Sequence, residues 1–146
     1  MTAKPRLIVC ERTGIWAVRL RTHLPREIPL RQTRLLDECV DELGRAPGSL
    51  VVLEVSAANL QNVLGLAAEL GCQFPQARWA AVAERGNASY EGLLREAGAV
   101  HFATSPRTAD VLARLAVRHA ARVPQPRMSL AARIWESLPW HEAATS

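Results

Sequence analysis

The sequence predicts an α/β protein in which five short strands alternate with five helices. Apolar runs of four to eight residues, bounded by turn residues, recur along the chain as buried strands do. A segment with apolar residues at helical spacing follows each run. The strongest run, LVVLEV at 50–55, is apolar at every position except Glu54, which is typical of a strand covered on both faces.

The order of the elements follows from the turn and capping residues between them. Pro25 ends the first helix, Thr33 is a candidate N-cap for the second, and Gly98 ends the fourth. The segment IPLRQ is only half apolar, as an edge strand would be. Strands are predicted at 6–10, 28–32, 50–55, 77–84 and 99–104, and helices at 15–24, 33–44, 59–71, 89–98 and 108–123.

A helix in every connection requires a parallel sheet with right-handed crossovers and helices on both faces. Five such units in about 120 residues indicate the flavodoxin-like (βα)5 doubly wound fold, with strand order 2-1-3-4-5. Residues 1–123 are expected to form this domain. Residues 124–146 are expected to form a Pro-bounded linker and an extra C-terminal helix over 129–140. Any site should lie at the carboxyl ends of the strands.

Composition excludes several classes of function. The net charge is +4, but residues 1–49 contribute nine basic and six acidic side chains, so the excess is small and diffuse, which does not favour a nucleic-acid partner. No apolar run reaches about eighteen residues, so no membrane partner is expected. Three widely spaced cysteines favour a reducing cytoplasm over a disulfide framework. No phosphate-binding glycine loop or catalytic triad is present, so no cofactor and no enzymatic activity are expected.

Two stretches carry a resemblance to a known family. SLVVLEVS (49–56) resembles the third strand of the receiver domain of bacterial response regulators, and EAGAVHFATSP (96–106) resembles its fifth-strand region. The resemblance spans residues 5–123. It implies a site in which two acids hold Mg²⁺, an aspartate accepts a phosphoryl group, a hydroxyl senses that group, and a lysine precedes a cis-proline.

This sequence departs from the family at nearly every site position. The acidic pair becomes Cys10 and Glu11, and Glu54 replaces the phosphoacceptor aspartate. The resemblance therefore predicts a degenerate receiver pocket. It consists of Cys10, Glu11, Glu54, Ala83 in place of the hydroxyl, Ser105 in place of the lysine, and the retained Pro106. Glutamate reaches about one methylene further than aspartate, and a misplacement of about 1 Å can cost on the order of 10²-fold in rate. A pseudo-receiver without Asp phosphorylation is therefore expected.

Glu54 has two interpretations. It either mimics a phosphorylated aspartate, or it is a partly solvated strand-end carboxylate paired with an arginine such as Arg12 or Arg85. The second is favoured, because mimicry also needs the hydroxyl and the lysine. Glu11 is interpreted as a residual strand-end acid. Glu11 and Glu54 together remain weak candidates for divalent-ion binding.

Two features suggest protein partners. Arg114, Arg118 and Arg122 are four residues apart on the last helix, and form either a solvated basic stripe or a contact face with helix 4 and strand 5 for a second copy. The other feature is the segment 129–140, whose length makes it only marginally stable as an isolated helix. It would dock on its own domain, on a second copy or on another protein. Its predicted contact residues are Leu130, Ile134, Trp135, Leu138 and Trp140.

The sequence thus predicts a signalling or scaffolding protein that acts through protein–protein contacts, with a homodimer as one form. The alternative is a single-domain response regulator that still binds a divalent ion or accepts a phosphoryl group in a two-component phosphorelay.

Overall fold

Strands and helices alternate along the chain in a computed structural model that describes residues 4–124. The strands are β1 (Leu7–Cys10), β2 (Leu30–Thr33), β3 (Leu50–Val55), β4 (Arg78–Ala83) and β5 (Phe102–Ala103). The helices are α1 (Ile15–Arg21), α2 (Leu36–Arg45), α3 (Leu60–Gln73), α4 (Glu91–Glu96) and α5 (Ala109–Arg122). Short 3₁₀ turns precede α4 and α5. The predicted C-terminal helix and its contact residues lie outside the described residues.

All five strands are parallel and form one sheet in the order β2-β1-β3-β4-β5, which confirms the predicted doubly wound fold. Strand β3 lies at the centre, paired on one side with β1 and on the other with β4. In this register Cys10 is opposite Leu53, so that the chain leaves β1 beside the last residues of β3.

The two faces of the sheet are covered by different helices. Leu7, Val9 and Val52 are buried with α1 and α5, whereas the intervening Ile8 and Cys10 are buried with α2, α3 and α4. Successive side chains of a strand point to opposite faces, so that both sets must be apolar. This explains why the strand sequences are continuous apolar runs rather than alternating ones.

The main departures from the predicted elements are at their ends. Helix α2 begins after Leu35, not at Thr33, because Thr33 is buried as the last residue of β2. The N–H of Leu35 is capped instead by the carboxylate of Glu38, at 3.1 Å. Strand β5 has two residues rather than six, since only Ala81 and Val82 of β4 pair with it.

A hydrogen bond joins the end of α5 to the loop before β3. The Nε2 atom of His119 lies 2.8 Å from the carbonyl oxygen of Gly48. Burial lowers the pKa of His119, with the Arg78 and Arg122 charges adding to this and the hydrogen bond to Gly48 opposing it. The neutral imidazole is therefore the form that the folded chain favours.

The stability of the fold should depend on pH through this histidine. Its pKa is lower in the folded chain, so the unfolded chain binds more protons below the ordinary histidine value of about 6.5. We expect the free energy of unfolding to be level above that pH and to fall below it. His119→Gln should flatten the slope in urea unfolding series. His101, whose pKa burial also lowers, contributes with the same sign, and His101→Gln measures its share. Equal slopes for wild type and His119→Gln would contradict the assignment.

Glycines give a second test of the fold. Gly98 follows α4 with φ +112°, which L-residues rarely adopt. Gly65 is in the interior of α3, and a Cβ atom added there would lie in open space. We expect Gly98→Ala to destabilise the protein and Gly65→Ala to stabilise it by about 0.5–1 kcal/mol. Thermal unfolding of the two variants measures both effects. A stabilising Gly98→Ala would show that the turn after α4 is misplaced.

Candidate functional site

A cleft of about 950 Å³ opens at the carboxyl ends of β1 and β3, where this fold class places its chemistry. Cys10, Glu11 and Arg12 line one wall, and Glu54 lies at the end of the central strand. Residues of α2 and α3 and of the loops before them complete the lining: Arg34, Leu35, Leu36, Asp37, Val40, Asn59, Gln61, Asn62, Gly65, Leu66 and Glu69.

Glu11 caps helix α1. Its side chain is 1% exposed, and its two carboxylate oxygens accept the backbone N–H groups of Trp16 at 3.0 Å and Ala17 at 2.7 Å. These amides belong to the first turn of the helix, which has no intrahelical acceptors for them. The helix dipole also favours a negative charge there. Glu11 is therefore a structural carboxylate, each of whose oxygens accepts one backbone amide of α1.

Glu54 is held more loosely. Its Oε1 atom accepts the backbone N–H of Arg12 at 3.2 Å, and the side chain is partly exposed. The sequence predicted an arginine as the ion-pair partner of Glu54, but no ion pair to Glu54 occurs within residues 4–124. The backbone around Glu54 is fixed by Asn59, whose side-chain amide donates to the Glu54 carbonyl at 2.8 Å and accepts from the N–H of Ser56 at 2.8 Å.

The surroundings of Cys10 at the cleft favour its protonated form. Burial raises the pKa of the Cys10 thiol, the neighbouring Thr33 hydroxyl opposes this, and the carboxylates of Glu38, Glu54 and Glu11 raise the pKa further. Burial likewise raises the pKa of the nearby Cys39 to about 12. A thiol that stays neutral is a poor metal ligand and a poor nucleophile. Within the described part of the chain, no group of three or more His, Cys, Asp or Glu side chains could hold a metal ion.

The other three predicted pocket residues do not line the cleft. Ala83 is buried in the core formed with α2, α3 and α4. Ser105 begins the 3₁₀ turn before α5, with its hydroxyl accepting the N–H of Arg107 at 3.3 Å. The bond before Pro106 is trans, whereas the family resemblance implied cis. The cleft is thus bounded by β1, β3, α2 and α3, and leaves out the β4 and β5 side of the receiver site.

The predicted arginine stripe is on the exposed side of α5. Arg114 pairs with Asp110 of its own helix at 3.1 Å. Arg118 and Arg122 line a separate hollow near the end of that helix. On the neighbouring helix α4, Glu91 pairs with Arg95 at 2.8 Å.

Sequence reasoning missed the capping role of Glu11 and the contribution of Arg12 and Asn59. A signal for Glu11 was present, because Gly14 before α1 has no side chain that could cap the helix. An acidic residue shortly before Gly14, such as Glu11, was therefore a candidate cap for α1. The contact of Arg12 with Glu54 depends on the register of β1 against β3, which the local sequence does not reveal. The bonds of Asn59 to Ser56 and Glu54, in contrast, are local to the loop after β3.

Comparisons with known proteins support the fold. A scan of protein-family models finds no match to the sequence. A search of curated proteins also finds no match. Among solved structures, a response regulator from Thermotoga maritima has a TM-score of 0.65 and 19% identity, covering 82% of this chain and 99% of its own. A CheY-like protein (tadZ) from Pseudomonas aeruginosa has a TM-score of 0.64 and 18% identity, covering 86% and 100%.

A third similar structure is a protein from Burkholderia pseudomallei named as pilus assembly-related, with a TM-score of 0.60 and 17% identity, covering 85% of this chain and 94% of its own. At such identities the likeness concerns the fold alone. The chain therefore has the receiver-domain fold. Over the residues that the structure describes, no helix is long and apolar enough to cross a membrane.

The two carboxylates at the cleft should differ sharply in their effect on stability. Glu11→Ala removes the acceptor for two helix amides and is expected to cost about 3 kcal/mol. Glu54→Ala, the matched control at a partly exposed position, should cost less than about 1 kcal/mol. Urea unfolding of both variants measures the difference. Equal losses would show that Glu11 does not hold α1.

Proposed function

We propose that this protein is a receiver-like signalling or scaffolding protein that acts through protein–protein contacts without phosphorylation of an acidic side chain. The observation that carries the proposal is the engagement of Glu11. A receiver needs its strand 1 acid for Mg²⁺, but here both oxygens of that acid accept amides of α1. Turning them to a metal would leave the first turn of α1 without its cap.

The positions of the other charged residues support the same conclusion. The only lysine of the chain, Lys4, precedes β1 and is at the opposite end of the sheet from the cleft. All three aspartates, Asp37, Asp41 and Asp110, are on helices, so none ends a strand. Phosphoryl transfer needs cationic groups that neutralise the charge developing on the transferred phosphoryl group. The cleft has no lysine where the resemblance implies one, and its cationic side chains are Arg12 and Arg34.

Glu54 is better explained as a structural residue than as a phosphoaspartate mimic. Its carboxylate accepts the N–H of Arg12 and so links the end of β3 to the chain leaving β1. A mimic would act on a switch hydroxyl and a lysine, and the sequence has Ala83 and Ser105 at those positions. Ala83 is buried away from the cleft and has no polar side chain to respond.

One candidate contact surface is on the side of α4 and α5. Leu93, Val111 and Val117 are large apolar side chains exposed there, and Arg114 is exposed on α5. Exposed apolar residues with an arginine border are typical of protein interfaces. Because one structural neighbour is named as pilus assembly-related, a component of such an assembly is the first partner class to test.

Incubation with acetyl phosphate and Mg²⁺, followed by intact mass measurement, tests the proposal. We expect no added phosphoryl mass on the full chain, and none on Glu54→Asp, which restores the acceptor but not the lysine or the second acid. A competent receiver domain in the same buffer is the positive control.

A phosphoryl mass that appears on the wild type and disappears in Glu54→Gln would overturn the proposal. That result would favour the alternative, a single-domain regulator working in a two-component phosphorelay.

A further inference from the structure

We propose that the segment 129–140 docks on its own domain, in a groove at the amino edge of the sheet. The amino edge is where β3 and β4 begin, opposite the cleft of Glu54. This proposal is independent of whether the protein is phosphorylated, since it concerns the other end of the molecule.

The groove consists of two adjoining hollows. The first, of about 380 Å³, lies between the last turns of α5 and the first residues of β3 and β4. The second, of about 350 Å³, lies between the end of α3 and the turn after α4. Pro75, Arg78 and Val100 line both hollows, so together they form one continuous depression.

The groove has an apolar floor and a basic rim. Val100 is 39% exposed, and Leu115 and Phe74 are partly buried in the lining. Arg118 and Arg122 form the rim on the α5 side. Such a surface suits an apolar helix face that carries aromatic rings, because arginine stems cover apolar surface and guanidinium groups stack on indoles.

The described part of the chain ends beside the groove, so the segment 129–140 begins near it. Pro124, the last described residue, lines the first hollow. Residues 125–128 can extend at most about 14 Å, so that the segment begins close to the groove. A helix over 129–138, ended by Pro139, would be about 15 Å long. An isolated helix of this length is marginal in water, so docking would supply its stability.

The segment 129–140 carries apolar and aromatic side chains that suit an apolar groove. Leu130, Ile134, Trp135 and Leu138 recur at helical spacing, and Trp135 and Trp140 are two of the four tryptophans of the chain. Burying them against Val100 and Leu115 removes apolar surface from water on both partners. Because the tether holds the segment at a high effective concentration, its own groove is favoured over a second copy.

Acrylamide quenching of tryptophan fluorescence tests docking in the full chain. The two described tryptophans, Trp16 and Trp79, are only 5% and 4% exposed, so a large quenchable fraction would come from the tail. We expect little quenching in the wild type. Val100→Glu should place a charge in the groove and make about half of the tryptophans accessible. The matched control, Val18→Glu, changes a residue of α1 that is 62% exposed and outside the groove, and should have no effect.

Trp79 also lines the second hollow, so its signal must be separated from that of the tail. In a Trp135→Phe/Trp140→Phe background, Val100→Glu should no longer increase quenching. The proposal is overturned if the wild type is already half quenched, because the tail is then free. It is also overturned if the wild type is protected and Val100→Glu changes nothing, because the tail then docks elsewhere. A persistent increase in the double-Phe background would overturn the assignment of the signal to the tail.

A disulfide scan distinguishes docking in cis from exchange between copies. In a Cys72→Ser background, which removes the exposed cysteine, Val100→Cys is combined in turn with Leu130→Cys, Ile134→Cys or Leu138→Cys. At least one pair should form an intrachain bond at dilute protein concentration, because the bond requires Cα atoms within about 7 Å. Val18→Cys should form none. Disulfide-linked dimers in place of monomers, or no bond with any of the three, would overturn docking in cis.

Discussion

The carboxylate of Glu11 holds helix α1 against the carboxyl edge of the sheet, and α1 together with α5 covers one whole face of that sheet. A parallel sheet is stable only when both faces are covered, because its strands present apolar side chains in both directions. Glu11 is buried next to the cleft, and its charge is tolerated there because two backbone amides and the helix dipole compensate it. One acid thus joins the first strand, the first helix and the covered face.

That use of Glu11 gives the carboxyl edge a structural role. In a receiver, acids at this edge are free to bind Mg²⁺ and to accept a phosphoryl group. Here Glu11 caps α1, Glu54 links β3 to the backbone of Arg12, and burial raises the pKa of the Cys10 thiol. The receiver-domain fold is retained, while both carboxylates at this edge make hydrogen bonds within the chain.

Most of the fold could be predicted from the sequence because strands buried on both faces leave a strong signal. The range of β3 matches the prediction at both ends, since a short run that is apolar except for Glu54 is typical of a strand covered on both faces. Strand β5 could not be bounded in this way, because only two of its residues pair with β4. Thr33 has the local chemistry of an N-cap, yet the register of β2 buries it and the carboxylate of Glu38 caps α2 instead.

The sequence by itself determined the element order, the parallel doubly wound sheet and the edge at which Glu11 and Glu54 stand, because these follow from periodicity and chain connectivity. Only the tertiary structure decided what those acids do. Whether a carboxylate meets a metal, a guanidinium or a backbone amide depends on which elements the register and the helix docking bring within about 3 Å. The same holds at the amino edge, where the groove beside Pro124 is formed by residues from α3, β3, β4 and α5 that are distant in sequence.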